Sequence, residues 1–267
     1  MPHHELSDGT VIFYEDVGEG EPVLLVHGLM MSHALWMYQT LELRKTHRVI
    51  VPDLRGHGRS DCPPGSYLPQ QHASDLAELL TALDLHDVCA VGWSMGVPIV
   101  TDLYRKAPDR VSSLGLVNGA MTLLAHPDYP FGRTIEDHER NLARLQVDHP
   151  QVVHDFIRAI FTREVGEPTL DFVERIALDV PAWVSYDEWD GLARVDLRDA
   201  LPQIDAPILV IHGQEDPRID QRSAEWTAAH AKEARLELMA GCGHTPFIED
   251  KDRFNEILAD WLTQQTT

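Results

Sequence analysis

The segment Gly92-Trp93-Ser94-Met95-Gly96 carries the side chain best suited to nucleophilic chemistry. An apolar run at 88–91 predicts a buried strand before it, and residues 97–107 predict a helix after it. The glycines let the strand turn sharply into the helix, which exposes the serine hydroxyl. The first turn of the helix adds backbone N–H groups without intrahelical partners, and these suit developing negative charge. Close packing of a strand and a helix alone also uses this pattern, so other residues must decide between the two interpretations.

A serine hydroxyl needs a neighbouring base and an acid that orients the base. In an open parallel sheet such groups meet beyond the carboxyl ends of the strands. His244 follows the last predicted strand, between glycines and a proline, and is the candidate base; the alternative is a capping or exposed histidine. Asp216 follows the preceding strand and is the candidate acid, with Glu215 as a local competitor and Asp220 as a weaker one. The order Ser94, Asp216, His244 is typical of a strand–helix nucleophile turn.

The turn His27-Gly28-Leu29 follows an earlier apolar strand and contains no carboxylate. We therefore expect it to contribute backbone N–H groups. Those of Leu29 and Met95 would bind the oxyanion when the attacked carbonyl becomes tetrahedral. His27 is a candidate second base, but a histidine at a strand end more often shapes its loop through local hydrogen bonds, and we favour that role.

A further polar set lies in the glycine-rich segment 52–61. Asp53, Arg55 and His57 allow the interpretation of a second catalytic set. We expect them instead to form a buried ion pair and hydrogen bonds that hold the loops around the site.

Alternating strands and helices predict the sheet that must position these residues, because this rhythm is typical of parallel crossover units. The predicted strands are 11–14, 23–26, 48–51, 88–91, 111–117, 207–211 and 235–239, and the predicted helices are 33–45, 70–85, 97–107, 221–232 and 252–262. Between 121 and 197 only helix-like segments occur, at 135–147, 152–163 and 170–178. This stretch is too long for a plain loop. We predict an α/β core, residues 1–120 and 198–267, with a mostly parallel open sheet flanked by helices, and a helical cap insertion at 121–197.

Composition excludes several classes of partner. The chain has 22 Lys and Arg against 43 Asp and Glu, a net charge of −21, which argues against nucleic acids and anionic membranes. No apolar run approaches the roughly 20 residues that cross a bilayer, and no signal peptide is visible. Three cysteines without a C-x-x-C motif suggest a reducing compartment. We predict a cytoplasmic protein without a metal site, and its assembly into a homo-oligomer is left open.

Together these residues resemble the α/β-hydrolase superfamily over nearly the whole chain. The resemblance rests on His27-Gly28, the turn Asp53-x-x-Gly56-x-Gly58-x-Ser60, Ser94, Asp216 and His244, in that order. It implies a hydrolase with a Ser-His-Asp triad, no cofactor and a cap that shapes the substrate pocket. Within the superfamily, the chain is most similar to small bacterial serine esterases, enol-lactonases and cofactor-free haloperoxidase-like proteins.

Two positions depart from these relatives. Met30 stands where haloperoxidase-like proteins often carry proline, which weakens a perhydrolysis interpretation. Val97-Pro98 replaces a second glycine after the nucleophile turn, and the proline is tolerated in a first helical turn. A serine at position 94 also argues against the dehalogenase and epoxide-hydrolase branches, which use aspartate there.

We expect the substrate to be a small apolar carboxylic ester or lactone, cleaved through an acyl-enzyme. Eight large side chains are candidates to line an apolar pocket: Trp36, Trp93, Met121, Phe131, Phe156, Phe161, Trp183 and Trp189. The alternatives are a C–C bond or amide hydrolase with the same triad, and a ligand-binding or signalling protein that turns over slowly.

Overall fold

One mixed sheet runs through the computed structural model, which describes residues 2–265. The strands are β1 His3–Glu5, β2 Val11–Val17, β3 Pro22–Val26, β4 Arg48–Pro52, β5 Val88–Trp93, β6 Val111–Val117, β7 Ile208–Gly213 and β8 Ala234–Met239. Their order across the sheet is β1-β2-β4-β3-β5-β6-β7-β8. Strands β1 and β2 pair antiparallel, as do β2 and β4, and all remaining pairs are parallel. The predicted α/β fold with a mostly parallel sheet is confirmed.

Helices cover the parallel strands, which explains why β3, β5 and β7 are largely continuous apolar runs rather than alternating ones. The helices are α1 Met37–Leu43, α2 Pro69–Ala82, α3 Gly96–Lys106, α4 Ile135–Val147, α5 His149–Ile160, α6 Glu167–Leu178, α7 Ala182–Leu192, α8 Gln221–His230, α9 Pro246–Glu249 and α10 Lys251–Gln265. Every residue of β5 and β7 is buried. None of the helices among the described residues is long and apolar enough to cross a membrane.

Some helix boundaries differ from the predicted ones. Helix α5 begins three residues before the predicted start at 152, because the Asp148 side chain accepts a hydrogen bond from the backbone N–H of Gln151 and Pro150 fits the first turn. The predicted helix at 33–45 is a 3-10 turn, His33–Trp36, followed by α1. Helix α7 was not among the predicted segments, since its apolar residues do not form one clear stripe.

The register brings the ends of neighbouring strands to one edge of the sheet. Val26 of β3 lies opposite Gly92 of β5, and Val117 of β6 lies opposite both Trp93 of β5 and Ile211 of β7. The residues that follow these strands therefore meet above the same edge, where open α/β sheets bind their ligands.

Helices α4 to α7 lie between β6 and β7, within the segment 121–197, which we call the cap segment. The division into core and cap at these boundaries stays a prediction, and residues 1, 266 and 267 of the predicted core lie outside the described residues.

Candidate active site

Ser94 lies at a tight turn between β5 and α3. Its φ angle is 55°, a left-handed conformation that costs a non-glycine residue of the order of 1–3 kcal/mol. A Cβ atom on Gly92 would lie 2.2 Å from the carbonyl oxygen of Gly96, and one on Gly96 would lie 2.6 Å from the carbonyl oxygen of Val26. The two glycines are thus required for the close approach of helix and strands that lifts the Ser94 side chain out of the sheet.

Ser94, His244 and Asp216 form one hydrogen-bonded chain. The Ser94 Oγ lies 3.0 Å from His244 Nε2, and His244 Nδ1 lies 2.8 Å from Asp216 Oδ2. The side chains of His244 and Asp216 are almost fully buried. The structure therefore brings together the candidate nucleophile, base and acid in the geometry that proton transfer from serine requires.

Asp216 is held as a carboxylate by several donors. Its Oδ1 accepts hydrogen bonds from the backbone N–H groups of Arg218 (2.7 Å) and Ile219 (3.2 Å), and its Oδ2 accepts one from Asn118 Nδ2 (2.8 Å). Burial raises the pKa of Asp216, but the charge and hydrogen bond of His244, with a smaller contribution from Asn118, outweigh it and lower the pKa to about 2. The carboxylate is thus ionised wherever His244 works as a base.

The two competing acids, Glu215 and Asp220, differ from Asp216 in their surroundings. Glu215 is exposed. Asp220 caps α8 by accepting a hydrogen bond from the backbone N–H of Arg222 and pairs with the Arg222 guanidinium. Neither forms a hydrogen bond or ion pair with His244.

The loop that carries His244 is fixed by two side chains that sequence reasoning missed. The Glu249 carboxylate accepts hydrogen bonds from the backbone N–H groups of Gly243 and Thr245 on the loop and of Thr162 in the cap segment. Asn118 Nδ2, besides its bond to Asp216, donates to the carbonyl of Gly243 at 3.1 Å. The only available signal was position, since Asn118 follows β6 and Glu249 lies five residues after His244.

The candidate oxyanion donors lie beside Ser94. Leu29 and Met95 both line pockets that contain Ser94. Within residues 2–265, no turn or loop hydrogen bond pairs the backbone N–H of Leu29 or Met95 with a backbone carbonyl, as the predicted role of an oxyanion donor requires. Met30, next to Leu29, has a φ of 60° and is fully buried; like Ser94, it holds a strained conformation at the site.

Two pockets open onto Ser94 and share Leu123, Leu192 and Ile219 as walls. Each has a cavity volume of about 40 Å³, room for about three water molecules. The second, which we call the arginine pocket, is completed by Leu29, Arg133, Phe156, Trp189, Arg218 and His244.

Only two of the eight predicted pocket residues, Phe156 and Trp189, line the pockets that contain Ser94. Phe131 lines a neighbouring recess with Arg133 and Arg218.

The other five are placed elsewhere. Trp36 is fully buried and stacks on Phe247, and Met121 is fully buried in the hydrophobic core. Phe161 packs against that core, and Trp183 is half exposed, with its ring against Tyr67. Trp93 lies beside the loop that carries His244, where its Nε1 donates to the His244 carbonyl at 2.7 Å. The structure therefore does not bring these five residues to the two pockets that contain Ser94, because aromatic size alone does not separate pocket walls from core.

Comparison with known proteins gives the family. Residues 21–251 match the family described as having the alpha/beta hydrolase fold. The chain belongs to the α/β-hydrolase family.

Individual relatives agree with this membership. An esterase from Exiguobacterium antarcticum superposes with a TM-score of 0.95 at 29% identity, over 98% of both chains. A putative non-heme chloroperoxidase from Synechocystis is 31% identical over 94% of both chains. A pimeloyl-[acyl-carrier protein] methyl ester esterase from Nitrosomonas europaea is 31% identical over 91% of this chain and 96% of its own.

In this α/β hydrolase, His27 shapes its loop. Its Nδ1 lies 2.8 Å from the Gly28 carbonyl, and its Nε2 accepts a hydrogen bond from the backbone N–H of Leu54 at 3.1 Å. Burial, together with the charge of His57, lowers the pKa of His27 to about 3. The ring is therefore neutral, with its proton on Nδ1, and both nitrogens are occupied by the backbone.

The polar set after β4 is also occupied structurally, with different partners from those expected. Arg55 pairs with Asp75 of α2 at 2.5 and 2.7 Å rather than with Asp53. Asp53 instead accepts hydrogen bonds from the backbone N–H and ring of His33 at 2.7 and 2.8 Å.

His57 belongs to a cluster with His72 and Glu188, which we call the Glu188 cluster. The Nε2 atoms of His57 and His72 lie 3.2 and 2.9 Å from the two Glu188 carboxylate oxygens, and none of the three side chains is exposed. Burial opposes the charge of Glu188, but the two histidines outweigh it and lower the pKa of Glu188 to about 2. Because Glu188 lies on α7 and His72 on α2, the cluster ties the cap segment to the core.

Proposed function

We propose that the protein hydrolyses carboxylic esters or lactones through an acyl-enzyme on Ser94. The observation that carries the proposal is the hydrogen-bonded chain from Ser94 Oγ to His244 Nε2 (3.0 Å) and from His244 Nδ1 to Asp216 Oδ2 (2.8 Å). Relatives named as esterases support an ester as the substrate.

In the first half-reaction, Ser94 Oγ attacks the ester carbonyl while His244 Nε2 takes the hydroxyl proton. The resulting oxyanion accepts hydrogen bonds from the backbone N–H groups of Leu29 and Met95. His244 then gives its proton to the departing alkoxide oxygen, and Ser94 is left acylated.

In the second half-reaction, His244 takes a proton from water, which attacks the acyl carbonyl. Collapse of this second tetrahedral intermediate returns the proton to Ser94 Oγ and releases the carboxylic acid. The ionised Asp216 stabilises the imidazolium in both halves.

The test is labelling and turnover in the same preparation. We expect a fluorophosphonate to label Ser94 stoichiometrically and the wild type to hydrolyse p-nitrophenyl acetate. Ser94→Ala should lose the label and at least about 10⁴-fold in kcat. Ser74→Ala is the matched control, because Ser74 only donates to the carbonyl of Gln70 within α2. Full turnover by Ser94→Ala would refute the proposal.

Matched substrates decide among the alternatives. We expect an ester or lactone to be cleaved at least about 10²-fold faster than the corresponding amide or the corresponding C–C bond in a β-diketone. Faster cleavage of the amide or diketone would replace the proposed reaction, and labelling of Ser94 without turnover of any ester would indicate a binding protein.

A further inference from the structure

Two arginines reach the wall of the arginine pocket from different parts of the chain. Arg133 precedes α4 in the cap segment, and Arg218 follows Asp216 in the core. Their guanidinium carbons lie 6.0 and 5.9 Å from the ring centre of Trp189, and that of Arg218 also lies 4.9 Å above Phe156. The aromatic rings therefore hold both cations beside the cavity that contains Ser94 and His244.

Neither cation has a carboxylate partner. Across residues 2–265, no Asp or Glu oxygen lies within 4.0 Å of the Arg133 or Arg218 guanidinium, and Arg218 Nε is buried without any hydrogen-bond partner. Arg55 shows what the same fold does elsewhere, since its largely buried guanidinium is bound by both oxygens of Asp75. A chain with 43 acidic residues thus leaves these two guanidiniums unpaired at the pocket.

Without a ligand, burying two like charges and an unsatisfied donor in this way costs free energy. Burial lowers the pKa of Arg218 to about 10, and the positive charge of Arg133 adds to this effect against the opposing attraction of Asp216. Burial also lowers the pKa of Arg133. Two partly desolvated like charges repel each other, and a bound anion would remove both the repulsion and the unsatisfied donor.

A carboxylate is the anion that fits. Planar guanidinium groups bind its two oxygens in parallel, and the small cavity between the arginines and Ser94 has apolar walls at Leu123, Phe156 and Leu192. These walls suit a short hydrocarbon spacer. The expectation of a small apolar ester or lactone did not include a charged group, because nothing in the sequence around Arg133 or Arg218 indicates that they meet.

We propose that the substrate is an ester or lactone that carries a free carboxylate, which Arg133 and Arg218 bind a few atoms from the carbonyl attacked by Ser94. This proposal rests on the hydrolase function proposed above. Arg133 and Arg218 would then determine substrate specificity, and they take no part in proton transfer.

Paired substrates test the proposal on either side of the ester bond. On the acyl side, monomethyl glutarate is compared with methyl hexanoate, and on the alcohol side 4-acetoxybutanoate is compared with pentyl acetate. We expect the wild type to prefer the anionic member of at least one pair by roughly tenfold or more in kcat/KM. Preference for the neutral ester in both pairs would overturn the proposal.

Variants assign the preference to the two arginines. Arg133→Met with Arg218→Met should remove the anionic preference, measured as the ratio of kcat/KM for the anionic and the neutral member of each pair. Arg175→Met is the matched control, because Arg175 is an exposed arginine of the same cap segment. An unchanged anionic preference in the double variant would also overturn the proposal. If the wild type neither reacts with the fluorophosphonate nor hydrolyses p-nitrophenyl acetate, the hydrolase function itself is refuted.

Inhibition gives a measurement that needs no variant. At constant ionic strength, glutarate should inhibit wild-type hydrolysis of p-nitrophenyl acetate competitively, with an inhibition constant roughly tenfold or more below that of glutaramide. Equal inhibition by the two compounds would contradict binding of a carboxylate.

Discussion

Two of the histidine–carboxylate clusters in this molecule share chemistry but not surroundings. In one, Asp216 holds His244, and the far nitrogen of His244 faces Ser94 at a pocket. In the Glu188 cluster, the carboxylate lies between two histidines and none of the side chains is exposed. The pKa of each carboxylate is lowered to about 2.

The difference shows that a buried pair of histidine and carboxylate is not by itself a candidate active site. The Glu188 cluster has no hydroxyl bound to a histidine and no opening, so its pairing contributes to stability and connects α7 to the core. The Asp216 pair differs in what lies beside it, a serine hydroxyl on a strained turn and the backbone N–H groups of Leu29 and Met95. Removing the Asp216 carboxylate should therefore mainly reduce activity, and removing the Glu188 carboxylate should mainly reduce stability.

The largest effect is expected for Asp216→Asn. An amide in place of the carboxylate cannot stabilise the imidazolium, so kcat for p-nitrophenyl acetate should fall about 10⁴-fold. Asp84→Asn is a matched control, because the Asp84 side chain is 89% exposed. More than a tenth of wild-type activity in Asp216→Asn would show that this carboxylate does not orient the base.

Glu188→Gln should instead lower the stability of the protein and leave its activity largely unchanged. It removes the negative charge that faces the buried rings of His57 and His72, and breaking a buried pair costs about 3–5 kcal/mol in the free energy of unfolding. Urea denaturation measures this loss, and kcat of the folded variant should stay within about threefold of wild type. Glu139→Gln, at an exposed position of α4, is the control. A variant as stable as wild type but inactive would place Glu188 in the reaction.

Acid should weaken the Glu188 cluster in a predictable pH range. The pKa of Glu188 falls from 4.5 to about 2 on folding, so this share of stability is present above about pH 4.5 and is lost as the pH falls toward 2. For one group the loss is about 3 kcal/mol. We expect the free energy of unfolding to fall less steeply below pH 4.5 in Glu188→Gln than in wild type. Parallel curves would contradict the assignment.

The smallest effect concerns the support of the catalytic loop. Trp93→Phe removes the donor to the His244 carbonyl, which leaves a buried acceptor unsatisfied and should cost about 1–3 kcal/mol of stability. Because the loop also holds the base, kcat should fall while KM changes little. Trp226→Phe, a partly buried tryptophan of α8, is the control. An unchanged thermal midpoint would show that water or another donor replaces the indole.

The sequence predicted the positions of Ser94, Asp216 and His244 because each follows a predicted strand and lies within two residues of a glycine or proline. Strand ends of a parallel sheet converge by topology, so no contact had to be known in advance. The preference for a structural role of His27 rested on the same logic, and both of its nitrogens bond to the backbone.

In the cap segment, no comparable rule predicts which residues face the site. Glu188 lies on a helix without a clear apolar stripe, and a glutamate in such a helix normally faces solvent. Arg133 and Arg218 are 85 positions apart, and their proximity depends on how the cap segment packs over β7. Pairings of this kind follow from tertiary packing, which local patterns do not encode.

The central claim is that Ser94 becomes acylated during turnover. Wild-type protein mixed with p-nitrophenyl acetate, quenched in acid within the first turnover and digested, should yield an acetylated peptide with the added mass on Ser94. The fraction acylated should match the amplitude of the p-nitrophenol burst. Turnover with no acyl group on Ser94, or with the acyl group on another residue, would contradict the account.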